Sequence, residues 1–421
     1  MIVTDNSNIV LDREYKEVFF RPAKVNVAIA VTILFLIWPM LALPCVIVEV
    51  LNRRKYSFVL LTIFMGYIAY LWPPTGDLYR HTLSYFEFKY SSSYMLREYQ
   101  EDYVMHILSF IFAKNGIPFE FVRFIFIVVS YTLMFRVLED LGRKYSFVKE
   151  NYRSFLGIFF FVVNFTIIVF GLRFGFGSVL MSYGVYLLWN SRYQGWCWCI
   201  IAFLVHYSLI SVFILLILSR LIKLKNKKIA IISLLFFIFP MTALLDKVIM
   251  ILPIPDIVKV VLTVYSSGYW GQEAMADRSL LYRLSLLISQ IPVYYTVYCF
   301  LRDGKFRTIC DSFLIIMVVF WSISSSSYEF FGRVTTFIIY PMGFYMAYRA
   351  CRLRVIRRIH VTLILLVFSF LSSFYGMRRE VSISDMSLLL YGNTYQIISH
   401  TYDLNWLRAN VNSDGSAAKF Y

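Results

Sequence analysis

Apolar runs as long as SFLGIFFFVVNFTIIVFGL, residues 154–172, recur along almost the whole of this 421-residue chain. No water-soluble core of ordinary size requires them. A hydrocarbon layer roughly 30 Å thick needs about 20 such residues per helical crossing. Inside it, backbone polar groups are satisfied only within helices or closed barrels. The expected fold class is therefore an all-α polytopic membrane protein, a single integral domain over residues 1–421 embedded in the lipid bilayer.

Candidate spans are 25–48, 57–73, 119–138, 154–171, 174–190, 229–245, 280–301, 309–327, 334–348 and 359–376, within about 10–12 transmembrane helices. Two apolar segments do not fit this scheme. Residues 103–114 are too short to cross comfortably and end at Asn115-Gly116-Ile117-Pro118. Residues 195–218 could cross once, but charge argues otherwise. Of 41 Lys and Arg, 22 lie in six short turns: 53–55, 136–153, Arg192, 220–228, 302–307 and 349–358. That asymmetry is the positive-inside bias and places all six turns in the cytoplasm. Segment 103–114 is then a half-helix, and 195–218 a re-entrant hairpin with His206 near its apex. Pro39 and Pro44 interrupt the first span, so the side of the N-terminus stays open. The periplasmic face collects loops 74–102 and 246–279 and the tail 377–421.

The same bias accounts for the formal charge of +16, which in a soluble protein would suggest nucleic acid; none is expected here. All six cysteines, Cys45, Cys197, Cys199, Cys299, Cys310 and Cys351, lie in apolar spans or at basic edges and read as structural. About 24 residues precede the first apolar run and no small-residue cleavage site follows it, so no cleavable signal is expected.

In such a chain the informative residues are the few polar ones at membrane depth, where a charge costs roughly 2.5–3.5 kcal/mol on insertion scales. Arg173, in Gly171-Leu172-Arg173-Phe174-Gly175-Phe176-Gly177, has no acid nearby in sequence; phosphate would suit its planar fork, and snorkelling to lipid phosphates is the competing reading. His206, in Ala202–Ser208, is either a satisfied core residue or a site residue at the hairpin apex. Arg333 follows Glu329 by four residues, which makes a helix ion pair or a second phosphate-binding cation. Gly76-Asp77-Leu78-Tyr79-Arg80-His81 gathers an acid and two basic groups just after a span. Outer-loop aromatics, Tyr79, Tyr85 and Trp270 among them, suit sugar rings and an interfacial belt equally. Phosphate-loop, zinc-helix and nucleophile-elbow motifs are missing from the sequence.

These features, in this order, resemble the EpsG-type branch of the Wzy polysaccharide polymerases from about residue 57 to the tail. The likeness rests on Gly76-Asp77 with Tyr79 and Tyr85, Glu101 before the short Val104–Phe112 segment, and the Gly-Leu-Arg turn at Arg173. It rests also on Ala202-x-x-x-His206-x-Ser208 and on Arg333. The chain departs from the family pattern at Phe174, where Gln is frequent, and at Asp102-Tyr103, where Pro-Gly is. The resemblance implies a glycosyltransferase of the bacterial cell inner membrane that polymerises undecaprenyl-pyrophosphate-linked oligosaccharides at the periplasmic face. It implies Arg173, Arg333 and Arg80 on pyrophosphate, Glu101, Asp77 or His206 as catalytic base, and no metal or other cofactor. It leaves room for a chain-length regulator protein. A flippase for the same lipids and an O-antigen ligase-like glycosyltransferase are the alternatives.

Overall fold

A computed structural model describes residues 19–90, 103–224, 226–237, 280–303, 311–325 and 327–418. Segment 246–279, with Trp270, and residues 91–102, with Glu101, lie outside the described residues. Helices dominate and no named strand occurs among the described residues. Four helical stretches are long and apolar enough to cross a membrane: 120–144, 152–170, 283–302 and 357–376. Several shorter apolar helices pack with them, so the chain is an all-α polytopic membrane protein.

The first apolar segment corrects the expectation of a single crossing at 25–48. Helix α1 (Val25–Ile37) ends at Trp38, and α2 (Pro39–Leu51) starts with proline at its first turn, where the missing N–H costs nothing. The two helices pack against each other. Beyond their far ends, Arg21 N–H donates to the Arg53 carbonyl at 2.8 Å. The segment therefore folds back to the face it came from. Each arm has 13 residues, a rise of about 20 Å, short of a full crossing.

Helix α3 (Lys55–Tyr70) leads through residues 71–76 to α4 (Asp77–Tyr90). Helix α5 (Tyr103–Lys114) has 12 residues, a rise of about 18 Å, and packs on α4, as expected of a half-helix. Helix α6 (Glu120–Lys144) runs back along α3. After α7 (Ser146–Glu150), the next crossing is α8 (Tyr152–Phe161) continued by α9 (Phe165–Phe170). Gly171 then turns the chain into α10 (Leu172–Trp189).

Among the described elements helix α10 is the most deeply buried, packed against α6, α9 and the following α11 (Gly195–Val205). Glycine permits the closeness of α10 and α11: a Cβ on Gly195 would lie 2.4 Å from the Gly184 carbonyl oxygen. At His206 the backbone is extended (φ −150°, ψ 112°); a 3-10 turn at Tyr207–Leu209 follows, then α12 (Ile210–Leu221). Both ends of this segment meet one residue. A Cβ on Gly195 would lie 3.0 Å from Leu188 N, and Arg220 donates to the Leu188 carbonyl at 3.0 Å. Residues 195–218 thus enter and leave by one face, with His206 at the apex.

Helix α13 (Lys228–Ser233) precedes α14 (Leu280–Arg302), α15 (Asp311–Ser324), α16 (Tyr328–Leu353) and α17 (Arg357–Gly376). Along α14, Leu284, Leu287, Ile288, Ile291, Tyr294 and Tyr298 are exposed at helical spacing, and Ile364, Phe368, Leu371 and Tyr375 do the same along α17. Apolar stripes that face outward suit lipid, not water. Four short helices form the tail: α18 (Arg378–Ser382), α19 (Ser387–Tyr391), α20 (Thr394–Ser399) and α21 (Leu404–Asn410).

The basic turns are tied together on one face. Lys144 donates to Asn190 at 2.6 Å, Arg192 pairs with Asp140 at 2.6 Å, and Tyr152 donates to the Val50 carbonyl at 2.8 Å. Asp303 is the hub of the second half, accepting from Arg358 at 2.6 Å, Tyr345 at 2.8 Å and Arg349 at 3.0 Å. Burial alone would raise its carboxyl; hydrogen bonds from Arg358, Tyr345 and Arg349 outweigh burial and hold it below the usual range. Its contribution to stability is therefore present at neutral pH and lost only as pH falls below about 4, through the depressed value. We expect Asp303→Asn to lower stability by about 1.5–3 kcal/mol at pH 7. The deficit should shrink in strong acid, a pattern readable from thermal unfolding in detergent across pH.

Candidate functional site

Opposite the basic turns, four elements far apart in sequence meet. The loop after α3 contributes the start of α4. Asp77 opens that helix and His81 follows one turn later, with its Nε2 3.4 Å from Asp77 Oδ2. The same carboxylate oxygen lies 3.7 Å from a guanidinium nitrogen of Arg173. The sequence offers Arg173 no nearby acid; the fold brings one from 96 residues away. Phosphate is therefore not its sole available counter-charge.

The next residue along α10 gathers the rest. The Phe174 ring lies edge-on to His206, with centroids 5.7 Å apart, and the Arg333 guanidinium stands over the same ring at 5.9 Å. Arg333 also makes the helix pair with Glu329, at 3.2 Å. Adjacent residues of α10 thus join Asp77 and His81 on one side to His206 and Arg333 on the other. The departure from the family pattern at Phe174 falls on the residue that links them: its ring lies under a cation and makes a T-shaped contact with an imidazole.

Asp77 and Arg173 are partly exposed, at 44% and 22% of their side chains, whereas His206 is buried at 6%. Burial alone would raise the Asp77 carboxyl. The neighbouring His81 and the charges of Arg173 and Arg80 overcome it and hold the group well below the ordinary carboxylate range. Asp77 is accordingly a charged anchor and a weak base.

The remaining candidates divide. Arg80 is exposed and close enough to act on Asp77 through its charge, and Tyr79 is half-buried. Tyr85 is a correction: it is 5% exposed and donates its hydroxyl to the Ile117 carbonyl at 2.5 Å, so it ties α4 to the turn before α6 and offers no sugar-stacking face. Among the described residues no three His, Cys, Asp or Glu side chains cluster as metal ligands would.

Two features beside the site escape a reading for isolated charges. Glu120 and Arg123, at the first turn of α6, form a 3.6 Å pair at 4% and 0% exposure. Arg123 also donates to the Trp72 carbonyl, fixing the loop that delivers Asp77. The other side of this pair holds the tail: Tyr402 N–H donates to Glu120 at 3.2 Å and the Tyr402 hydroxyl to the Leu71 carbonyl at 2.6 Å. The signal was an acid and a base three residues apart at the start of an apolar run.

The second feature is the turn at residues 412–416. Gly76 N–H donates to the Gly415 carbonyl at 2.8 Å, next to Asp77. Gly415 has φ +86°, and a Cβ there would lie 2.8 Å from the Gly76 carbonyl oxygen. Gly415→Ala should therefore cost about 1–2 kcal/mol in backbone strain alone. It should lift the turn from Gly76, detected as faster proteolysis of the tail and lower activity with a folded bundle.

Helices that cross a bilayer and gather cations, imidazoles and carboxylates at the end opposite their basic turns make this a multi-pass membrane protein. The sequence matches the EpsG family over residues 55–391, well over half of the chain. It belongs to that family, which comprises Wzy-type polysaccharide polymerases and EpsG-like proteins. No curated protein and no solved structure matches it.

Proposed function

We propose that this protein joins undecaprenyl-pyrophosphate-linked oligosaccharide repeats into O-antigen or capsular or exopolysaccharide, at the periplasmic face of the bacterial inner membrane. The observation that carries the reading is the Arg333 guanidinium over the ring of Phe174, the residue next to Arg173, whose own guanidinium faces Asp77, on the end opposite the basic turns. The positive-inside rule makes those turns cytoplasmic and the charged end periplasmic. A pyrophosphate leaving group needs guanidinium donors where negative charge develops. Arg173 and Arg333 fill that role, with Arg80 at the exposed rim, while Tyr79 offers a ring to a sugar. His206, buried behind Phe174, supports the site from within the hairpin.

The reaction breaks the bond between the growing chain's anomeric carbon and pyrophosphate and forms one to a hydroxyl of the acceptor repeat. The test is transfer by purified protein in nanodiscs supplied with lipid-linked repeats extracted from cells lacking the polymerase. A ladder of multiples of the repeat is the expected product. Movement of lipid-linked repeats across the bilayer without bond formation would instead make the protein a flippase. Transfer to lipid A core alone would make it a ligase.

A further inference from the structure

The geometry points to His81 as the general base of the polymerisation step, with Asp77 as its orienting carboxylate. This rests on the polymerase reading above. His81 lies one helical turn after Asp77 on α4, and its buried Nε2 makes no hydrogen bond but stands 3.4 Å from Asp77 Oδ2, within ion-pair range. A carboxylate beside Nε2 favours the tautomer with its proton there, which leaves Nδ1 with the lone pair. The imidazole is 14% exposed, so it is sheltered from bulk water without being sealed.

Two of the alternatives, Asp77 and His206, are weaker on geometry; the third, Glu101, lies outside the described residues. Asp77 is held between His81 and Arg173, and its charge is committed to both. His206 is 6% exposed and stands behind the Phe174 ring and against Tyr207, at 5.7 and 5.5 Å. His81 also stands close to the cation assigned to the leaving group. The oxygen it faces is the one Arg173 faces at 3.7 Å, so base and phosphate-binding cation stand side by side with one carboxylate between them.

In the step assigned to this pair, the acceptor hydroxyl oxygen attacks the anomeric carbon of the donor chain as its proton passes to His81 Nδ1. The anomeric carbon–oxygen bond breaks with its electron pair on the pyrophosphate, which Arg173 holds. The imidazolium, stabilised by Asp77, then releases the proton to water or to the departing pyrophosphate. Atoms and charge balance without a co-reactant.

The experiment is single-turnover linkage of lipid-linked repeats in nanodiscs, with binding of the donor lipid measured separately. His81→Ala and His81→Gln should each slow bond formation by about 10²–10⁴-fold while donor affinity changes less than about threefold. Gln keeps the size and hydrogen bonding but cannot take the proton. His81→Gly should recover rate with added imidazole, which repairs a missing base and not a misfolded helix. Asp77→Asn should be slowed and not rescued. Full rate in His81→Gln, or a His81→Gly protein that binds donor normally yet ignores imidazole, overturns the assignment. If the wild-type protein forms no linkage from these lipids, the polymerase reading itself fails, a result distinct from an active wild type indifferent to His81.

Discussion

Arg173→Ala is expected to reduce the polymer ladder to single-repeat products in a protein that still folds and inserts. The guanidinium is 22% exposed and stands beside Asp77 at the outer end of α10, so its removal opens no core cavity. Arg173→Lys isolates the geometry, because the cation remains while the planar fork that grips phosphate through two bonds is lost. A transition-state contact of that kind is worth about 2–4 kcal/mol, a fall of roughly thirty- to a thousand-fold in rate. Arg354→Lys is the matched control. That side chain is 65% exposed on the basic face, 3.7 Å from Glu150, where only the sidedness of charge matters. Repeat-length profiles on gels read both variants. Full-length ladders from Arg173→Lys and Arg173→Ala would make Arg173 an interfacial anchor and leave the proposed pyrophosphate site without its principal cation.

The largest loss of stability is expected from Glu120→Ala. It leaves the guanidinium of Arg123, wholly shielded from solvent, without its counter-charge, a situation that costs about 3–5 kcal/mol. It also removes the acceptor for Tyr402 N–H. The tail should loosen together with the loop at Trp72, seen as a lower melting temperature in detergent and early cleavage between α20 and α21. The double variant Glu120→Ala with Arg123→Met should recover much of the loss, because the stranded charge goes with its partner. A double variant as unstable as the single one would mean that Arg123 matters through its bond to the Trp72 carbonyl.

The helical class, the hairpin at 195–218 and the half-helix at 103–114 were legible because hydropathy and charge act locally and accumulate along a segment. The reversal at Trp38 was half-legible. Pro39 marked an interruption, but only the cations at both ends, Arg21 and Arg53, distinguish a hairpin from a kinked crossing. The contact between Asp77 and Arg173 was out of reach, since nothing in either neighbourhood encodes a partner 96 residues away. Tyr85 was misread for a related reason. An aromatic ring in a polar segment looks the same whether it meets a ligand or donates to the Ile117 carbonyl.

The bond between Gly76 and Gly415 has a consequence for biogenesis. At about 5–20 residues per second of synthesis, the ribosome reaches Gly415 roughly 20–70 s after Gly76. Throughout that interval the Asp77 loop is without its clamp. The cation on α10 arrives early and the turn that steadies its carboxylate arrives late, so a chain still being threaded holds its charged groups in an unfinished arrangement. Maturation of the site is thereby coupled to arrival of the tail, and a bulky fusion that kept residues 412–416 from reaching Gly76 would yield an inserted bundle arrested before its last step of assembly.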